Sequence, residues 1–387
     1  MNDKKQWLTK NLVLLTFISL AQDAASELIY PLLPLLLVGI VSSAPVALGV
    51  IEGIADAVAG LTKLLSGKFS DRFGRKPFIV GGYSLAGIGK VFTVSALSWN
   101  GIFTGRVVDR IGKGVRGAPR DALIHDGVDG RDLGKAFGFH RAGDNAGAVI
   151  GPLIALGLLA LMNDDVRTVA KWALIPALLS AFATFFIKEI RSTTTNVHFR
   201  KVSLSPALKK TILLLALIGI TNIPDALLLL RLHDIGFGPR GVVFGYVIYM
   251  FVAMLAAYPA GRIADRLHPR FIYLIGLNCF AIGYISLGLT ENQIIALLAL
   301  AFYGLFPALT DGVGKAWVGR LSDAHSPQSR GYAQGLFQAS MSFSVLVAGI
   351  WGGLIWSGGA IEAALVIAGI GALIGALTLL TYRGDAA

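Results

Sequence analysis

The chain has 387 residues, of which 55% are hydrophobic and only 15% charged, with a mean hydropathy of +0.68. Soluble domains carry about 25% charged residues, so that class is excluded and much of this surface must face lipid. The net charge of +11 is spread over alternate loops, which excludes a nucleic-acid partner, and the lone Cys279 excludes a disulfide framework or a thiolate metal site.

Apolar runs long enough to span a bilayer as helices recur from end to end, without the alternation of a β-barrel. In the first half they cover Asn11–Ile40, Val46–Leu65, Pro77–Leu97, Ile102–Ile124, Ala136–Leu161 and Ala170–Ile187. A polar stretch rich in Ser, Thr and basic residues follows, Lys188 to Ser205. The second half has Leu208–Leu230, Val242–Ala260, Phe271–Leu289, Ile294–Leu321, Tyr332–Ser357 and Ile361–Leu380. The expected fold is all-α and integral to the membrane, with twelve transmembrane helices in two six-helix bundles. The bundles cover residues 1–187 and 208–387, and 188–207 form a cytoplasmic linker. Very short outer connections make sequential helices antiparallel neighbours.

Lys4, Lys5 and Lys10 precede the first span; Arg72, Arg75 and Lys76 follow the second; Arg131 and Lys135 follow the fourth. Lys188, Arg191, Arg200 and Lys201 follow the sixth, whereas Val41–Ala44 and Ser98–Gly101 carry no charge. The positive-inside rule then expects a multi-pass protein of the inner membrane with both termini cytoplasmic. The first span lacks a small-residue cleavage site and is expected to be retained.

The two halves echo each other. GKFSDRFGRK, Gly67 to Lys76, reads as a polar turn after the second span, and GRIADRLHPR, Gly261 to Arg270, repeats it after the eighth. The copies start 194 residues apart (261 minus 67), and half of 387 is 193.5. Asp126 and Gly134 at the fourth–fifth junction are eight apart, as are Asp323 and Gly331 at the tenth–eleventh. Such a repeat is what rocking transporters show, with substrate near the midplane.

On these motifs the whole chain resembles the major facilitator superfamily, and within it a bacterial, drug- or metabolite-exporter-like subgroup. Gly67, Asp71, Arg72, Gly74, Arg75 and Lys76 match the family's loop motif. The resemblance implies that its acid and bases tie helix ends together in the outward-facing state and release them on rocking, as a charge-assisted latch would. Gly261, Asp265 and Arg266 keep part of the pattern, with His268 and Pro269 departing from it. Arg110, Lys113, Gly114 and Arg116 resemble the family's proton-transfer element in the fourth helix, with Lys113 where Gln and Arg116 where Gly is usual. Gly147, Gly151 and Pro152 resemble part of the antiporter motif, with Ala155 and Leu156 in place of its closing Gly pair.

The ionisable residues inside the spans carry the chemistry. Asp109, Lys113, Arg116 and Arg120 fall at i, i+4, i+7 and i+11 on one face of the fourth span, flanked by Arg106, Arg110 and Asp121. Each charge at the bilayer centre costs about 3 kcal/mol on insertion scales, so that face must meet water or carboxylates. Candidate carboxylates are Asp23 and Glu27 in the first span, Glu52 and Asp56 in the second, and Asp144 in the fifth, beside His140 and Arg141. Arg141 makes His140 alone a poor resting proton carrier. Lys63 and Lys90 add cations near span ends, and the second half offers Asp225 with Arg231 and Asp311 with Lys315. The competing account is that these groups are structural ion pairs. Pro31 and Pro34 in the first span, Pro224 in the seventh and Pro307 in the tenth are expected bends.

No Walker motif, HExxH or GxSxG occurs. The expectation is therefore not an enzyme but a secondary active transporter driven by a proton gradient, with no other cofactor and no partner subunit. A carboxylate among those named loads the proton, and the basic row tunes it or holds an anionic substrate group. Proton-coupled efflux of a small molecule by an antiporter mechanism is the first reading. Symport uptake of a small organic anion is the alternative. A non-transporting receptor is the third, and it would bring a soluble domain.

Overall fold

The computed structural model describes residues 7–41, 44–129, 132–190, 204–264, 266–325 and 330–382. Among them the regular structure is helical throughout: α1 Lys10–Ile29, α2 Leu33–Val38, α3 Ala44–Phe73, α4 Lys76–Ser95, α5 Trp99–Asp126, α6 Leu133–Leu161, α7 Val166–Trp172 and α8 Leu174–Ala183. Then come α9 Pro206–Gly219, α10 Asp225–Asp234, α11 Pro239–Ala264, α12 Pro269–Leu289, α13 Gln293–Tyr303, α14 Leu305–His325, α15 Arg330–Ser357 and α16 Ile361–Thr381.

Ten stretches of the described residues are long and apolar enough to cross a membrane, and they coincide with ten of the twelve expected spans. The fourth expected span is the unbroken helix α5, whose charges lower its hydropathy. The seventh, expected over Leu208–Leu230 with a bend at Pro224, is interrupted there: α9 stops at Gly219 and α10 restarts at Asp225. Pro224 has no N–H to continue a helix. Tight bonds from Thr221 N to Ile218 O (3.1 Å) and Asn222 N to Gly219 O (3.0 Å) carry the chain around the break. In the first span a 3-10 turn at Tyr30–Leu32, holding Pro31, separates α1 from α2. The tenth breaks at Gly304, and Pro307 sits in the first turn of α14.

The chain divides into two compact units, Met1–Leu36 with Val58–Val197 and Leu37–Ala57 with His198–Ala387. Helix α3 thus contributes its first half to the second unit and its second half to the first. Of the expected linker, residues 191–203 lie outside the described residues. In the first unit α4 pairs with α5 and α1 with α6; in the second α12 packs on α14 and α16, and α9 on α15.

Small residues set these pairings, because lipid offers no hydrophobic drive between helices and close backbone approach must supply it. A β-carbon on Gly89 would overlap the backbone of Asp109, and one on Gly112 the carbonyl of Gly82. On α6, Gly143, Gly147 and Gly151 lie one turn apart, and β-carbons there would overlap Thr16, the Leu20 carbonyl and the Ala24 carbonyl of α1. In the second unit Gly49 of α3 meets Gly349 of α15 backbone to backbone.

Candidate functional site

The tight α4–α5 seam decides where the charged face of α5 goes. Lys90 of α4 donates to Asp109 Oδ1 at 2.6 Å, and Arg106 Nη1 lies 3.9 Å from Oδ2. Lys90 and Asp109 are only 2% and 5% exposed. Lys90, expected near a span end, is thus a buried partner and not a cation reaching for headgroups. Two turns on, the Arg116 guanidinium stacks over the Tyr83 ring at 4.2 Å, a cation–π contact that strengthens away from water. Its Nη2 reaches to 3.6 Å from Asp23 Oδ1 on α1, and the Asp23 side chain is 24% exposed. Arg120 Nη1 donates to Ser19 Oγ on α1 at 2.8 Å, and its Nη2 lies 3.0 Å from Asp121 and 3.9 Å from Asp144 of α6. Lys113, between these arginines, is exposed, and Arg110 is half-buried. So α5 rests on α4 by backbone contact and spans to α1 and α6 by long arginine side chains.

The α1–α6 seam brings His140 and Asp144 beside α1, both buried. Thr16 Oγ1 donates to the Leu12 carbonyl at 2.8 Å and lies 3.4 Å from His140 Nδ1. His140 Nε2 is 3.6 Å from Asp144 Oδ1, and Arg141 Nη1 is 3.7 Å from Asp144 Oδ2. Glu27 is half-buried one turn beyond Asp23 on α1.

The second unit holds the other candidates. Glu52 is buried and Asp56 half-buried on the first half of α3. Asp225 opens α10 just after the helix break. It accepts from Tyr249 of α11 at 2.8 Å and from Tyr303 of α13 at 2.7 Å. Those rings stack at 5.3 Å, and Tyr284 packs edge-on to Tyr303 at 5.2 Å. Asp311 and Lys315 are exposed on α14. Arg231 is absorbed structurally, donating to the carbonyls of Leu287, Gly288 and Thr290 where α12 ends, and to Glu291 at 2.7 Å. Among the described residues no cluster of three or more His, Cys, Asp or Glu could hold a metal ion.

The loop motif corrects its expected shape. Residues 67–73 continue α3 as helix, and the turn is confined to Gly74 and Arg75, with Gly74 at φ +90°. A helix ending in a left-handed residue favours Gly there. Arg75 pairs with Asp126 at the end of α5 and donates to the Ala122 carbonyl. Glu189 accepts from the backbone N–H groups of Arg75 and Lys76 at 3.1 and 2.6 Å, capping α4, while Lys76 Nζ donates to the Phe185 carbonyl at 2.8 Å. Arg72 lies over Phe73 at 5.3 Å. The surroundings of Gly67 and the side chain of Asp71 lie outside the described set, as does Asp265 altogether. In the second copy Gly261 has open space around it, Arg266 is exposed, and His268 caps α12 by accepting from Arg270 N at 3.3 Å. Gly147 and Gly151 lie in the α1–α6 seam, with Pro152 buried beside them.

The model of the Major Facilitator Superfamily matches residues 12–310 and 211–386. The chain belongs to the major facilitator superfamily. It is 30% identical over 369 residues to an uncharacterized MFS-type transporter of Methanocaldococcus jannaschii, covering 92% of this chain and 90% of the relative. It is 25% identical over 344 residues to multidrug resistance protein MdtH of Salmonella paratyphi B, covering 86% and 83%. A bacterial homologue of the human lysosomal transporter Spinster, solved inward-facing and occupied, shares the fold at TM-score 0.79 and 16% identity, over 98% of this chain and 97% of that one. A D-xylose–proton symporter does so at 0.76 and 16%, over 97% and 98%. This facilitator is therefore a multi-pass membrane protein of a transporter family.

Sequence reasoning missed the polar partners that carry no charge. Tyr83, Tyr249 and Tyr303 were each legible only as a tyrosine inside an apolar run, whose hydroxyl needs a partner once buried. Thr16 and Ser19 sit about two turns and one turn before Asp23 in the same span, but small hydroxyls in spans ordinarily bond back to their own helix. Nothing in the spacing singled them out.

Proposed function

We propose that this facilitator exports a small molecule across the cytoplasmic membrane in exchange for protons. The observation that carries the reading is Asp23. It is a partly exposed carboxylate on α1 that meets Arg116 only across 3.6 Å, while Arg116 is otherwise held by a ring face. Such a loose pair can exchange its partner for a proton or a substrate group, unlike the sealed Lys90–Asp109 pair at 2.6 Å. Intramembrane ionisable groups are costly, and those that face water are functional candidates. The similarity to multidrug resistance proteins supports export. Both termini are assigned to the cytoplasm from the loop charges, and the transporter works by alternating access as a monomer, with the proton gradient the only energy source.

A second reading, uptake of a small organic anion with protons, is favoured by Arg116 Nη1, which is buried without a hydrogen-bond partner among the described residues. Liposomes loaded inside and out with a defined mixture of organic cations, anions and zwitterions separate the two. Acid is imposed outside, and mass spectrometry reads the contents. Export predicts that one or more compounds leave against their gradient; symport predicts that an anion accumulates. Flux that ignores the proton gradient overturns both.

A further inference from the structure

We propose that Thr16, His140 and Asp144 form a proton-binding site in the first unit, which takes up one proton between His140 Nε2 and Asp144 Oδ1 at one stage of the cycle and gives it up at another. The inference rests on the proton-coupled reading above and names the site that serves it.

Thr16 has a single hydroxyl proton, and it is given to the Leu12 carbonyl at 2.8 Å. Its oxygen therefore faces His140 Nδ1, 3.4 Å away, as an acceptor. That places the ring proton on Nδ1 and leaves Nε2 a bare lone pair, since the tautomer follows from the bond the other nitrogen makes. Nε2 points at Asp144 Oδ1 across 3.6 Å. Neither atom has a hydrogen-bond partner among the described residues, and the residues are 3% and 8% exposed. Two acceptors facing each other in a buried place are a hydrogen bond lacking only its proton.

The groups around the pair come from each packed element. Helix α5 supplies Arg120, 3.9 Å from Asp144 Oδ2, together with Asp121 on that same guanidinium. Helix α6 supplies Arg141 at 3.7 Å. Helix α1 supplies Thr16 and, farther along, Asp23, which lies within electrostatic reach of Asp144. The two arginines compensate the Asp144 carboxylate, so an added proton sits on the ring. The balance is simple: hydronium gives one proton, Nε2–H then donates to Oδ1, the site gains one positive charge, and no other bond forms or breaks. Arg120 is the lever. It also donates to Ser19 of α1 at 2.8 Å, and α5 meets α1 and α6 through side chains, so any shift of α5 changes the charge facing the pair. The pair is thus the carrier, where His140 considered alone was a poor one.

The test uses the full chain in lipid nanodiscs with ring-15N histidine, the His140 signal being the one lost in His140→Gln. At neutral pH the expected signal is the Nδ1–H tautomer with a bare Nε2, converting on acidification to a doubly protonated ring. In Asp144→Asn the His140 midpoint is expected to move by a pH unit or more, a tenfold change in proton affinity, with the other histidines unmoved. Thr16→Val, of similar size, is expected to release the ring to the Nε2–H tautomer. An Nε2–H tautomer in the parent protein, or an unmoved midpoint in Asp144→Asn, overturns the proposal. In pyranine-loaded liposomes given a gradient of the organic-ion mixture, His140→Gln is expected to lose substrate-driven proton movement. Coupling that survives in His140→Gln defeats this inference alone. No proton movement in the parent protein, with the predicted NMR, defeats the proton-coupled reading and leaves a proton site without that role.

Discussion

Lys90 and Asp109 offer the sharpest test of how charge is held in this fold. At 2.6 Å and an effective dielectric of about 20, their gross attraction is roughly 6 kcal/mol. Withdrawal of both from water costs several kcal/mol per ion, so the pair is close to neutral against a well-packed apolar substitute. Removal of one partner is a different matter. Lys90→Met leaves Asp109, 5% exposed, with Arg106 at 3.9 Å and Arg110 within electrostatic reach but without its 2.6 Å partner, and the expected loss is about 3–5 kcal/mol. Asp109→Leu leaves the 2% exposed Lys90 ammonium buried, with a similar loss. In the double variant both charges are gone and two apolar side chains fill comparable volume. Its expected loss is about 1–2 kcal/mol, chiefly for Arg106 losing this contact while its stacking over Tyr30 at 5.7 Å remains. The assay is thermal unfolding of the four purified proteins in one detergent, read as a double-mutant cycle. A double variant as unstable as the two single losses added together would refute the reasoning, because the residues would then act independently and not as one buried pair.

Gly147→Ala should cost about 1–3 kcal/mol by overpacking, because its β-carbon has no room beside the Leu20 carbonyl. Gly157→Ala on the same helix, where nothing lies within 4 Å, should be stabilising by about 0.4–1 kcal/mol; apparent melting temperatures that move together would contradict this. Asp225→Leu takes one acceptor from Tyr249 and one from Tyr303, whose hydroxyl also reaches Asn222 Oδ1 at 3.4 Å, and should cost about 1–3 kcal/mol, whereas Asp225→Asn keeps an acceptor and should unfold close to the parent; equal losses in both would remove the hydrogen-bond account. Asp165 caps α7 from outside the membrane. The Thr168 hydroxyl and amide hold its carboxyl below the usual 3.8. A depressed carboxyl contributes stability above 3.8 and loses it as pH falls through the lower folded value. Protection of the Thr168 amide, taken against its intrinsic exchange rate at each pH, should therefore fall only in that acid range, and should be low at every pH in Asp165→Ala.

Composition and run length alone determined that this is a helical membrane protein. Lipid tolerates only satisfied backbones, and an apolar run of spanning length has one way to provide them. The family and the duplication were legible for the same one-dimensional reason, since Gly67–Lys76 and Gly261–Arg270 recur at half the chain length. The helical period also put Asp109, Lys113, Arg116 and Arg120 on one face of α5. The tertiary structure decided what each of them meets. Asp109 is sealed by a lysine from α4, Arg116 leans on Tyr83 toward Asp23, and Arg120 bridges to Ser19 and Asp144. It also decided that Glu52 and Asp56 belong to the second unit, because α3 is shared between the two. Periodicity tells which way a side chain points from its own axis. The partner that waits there depends on how closely two backbones approach, and that is set by glycines such as Gly89 and Gly143, whose sequence positions carry no label of the helix they will touch.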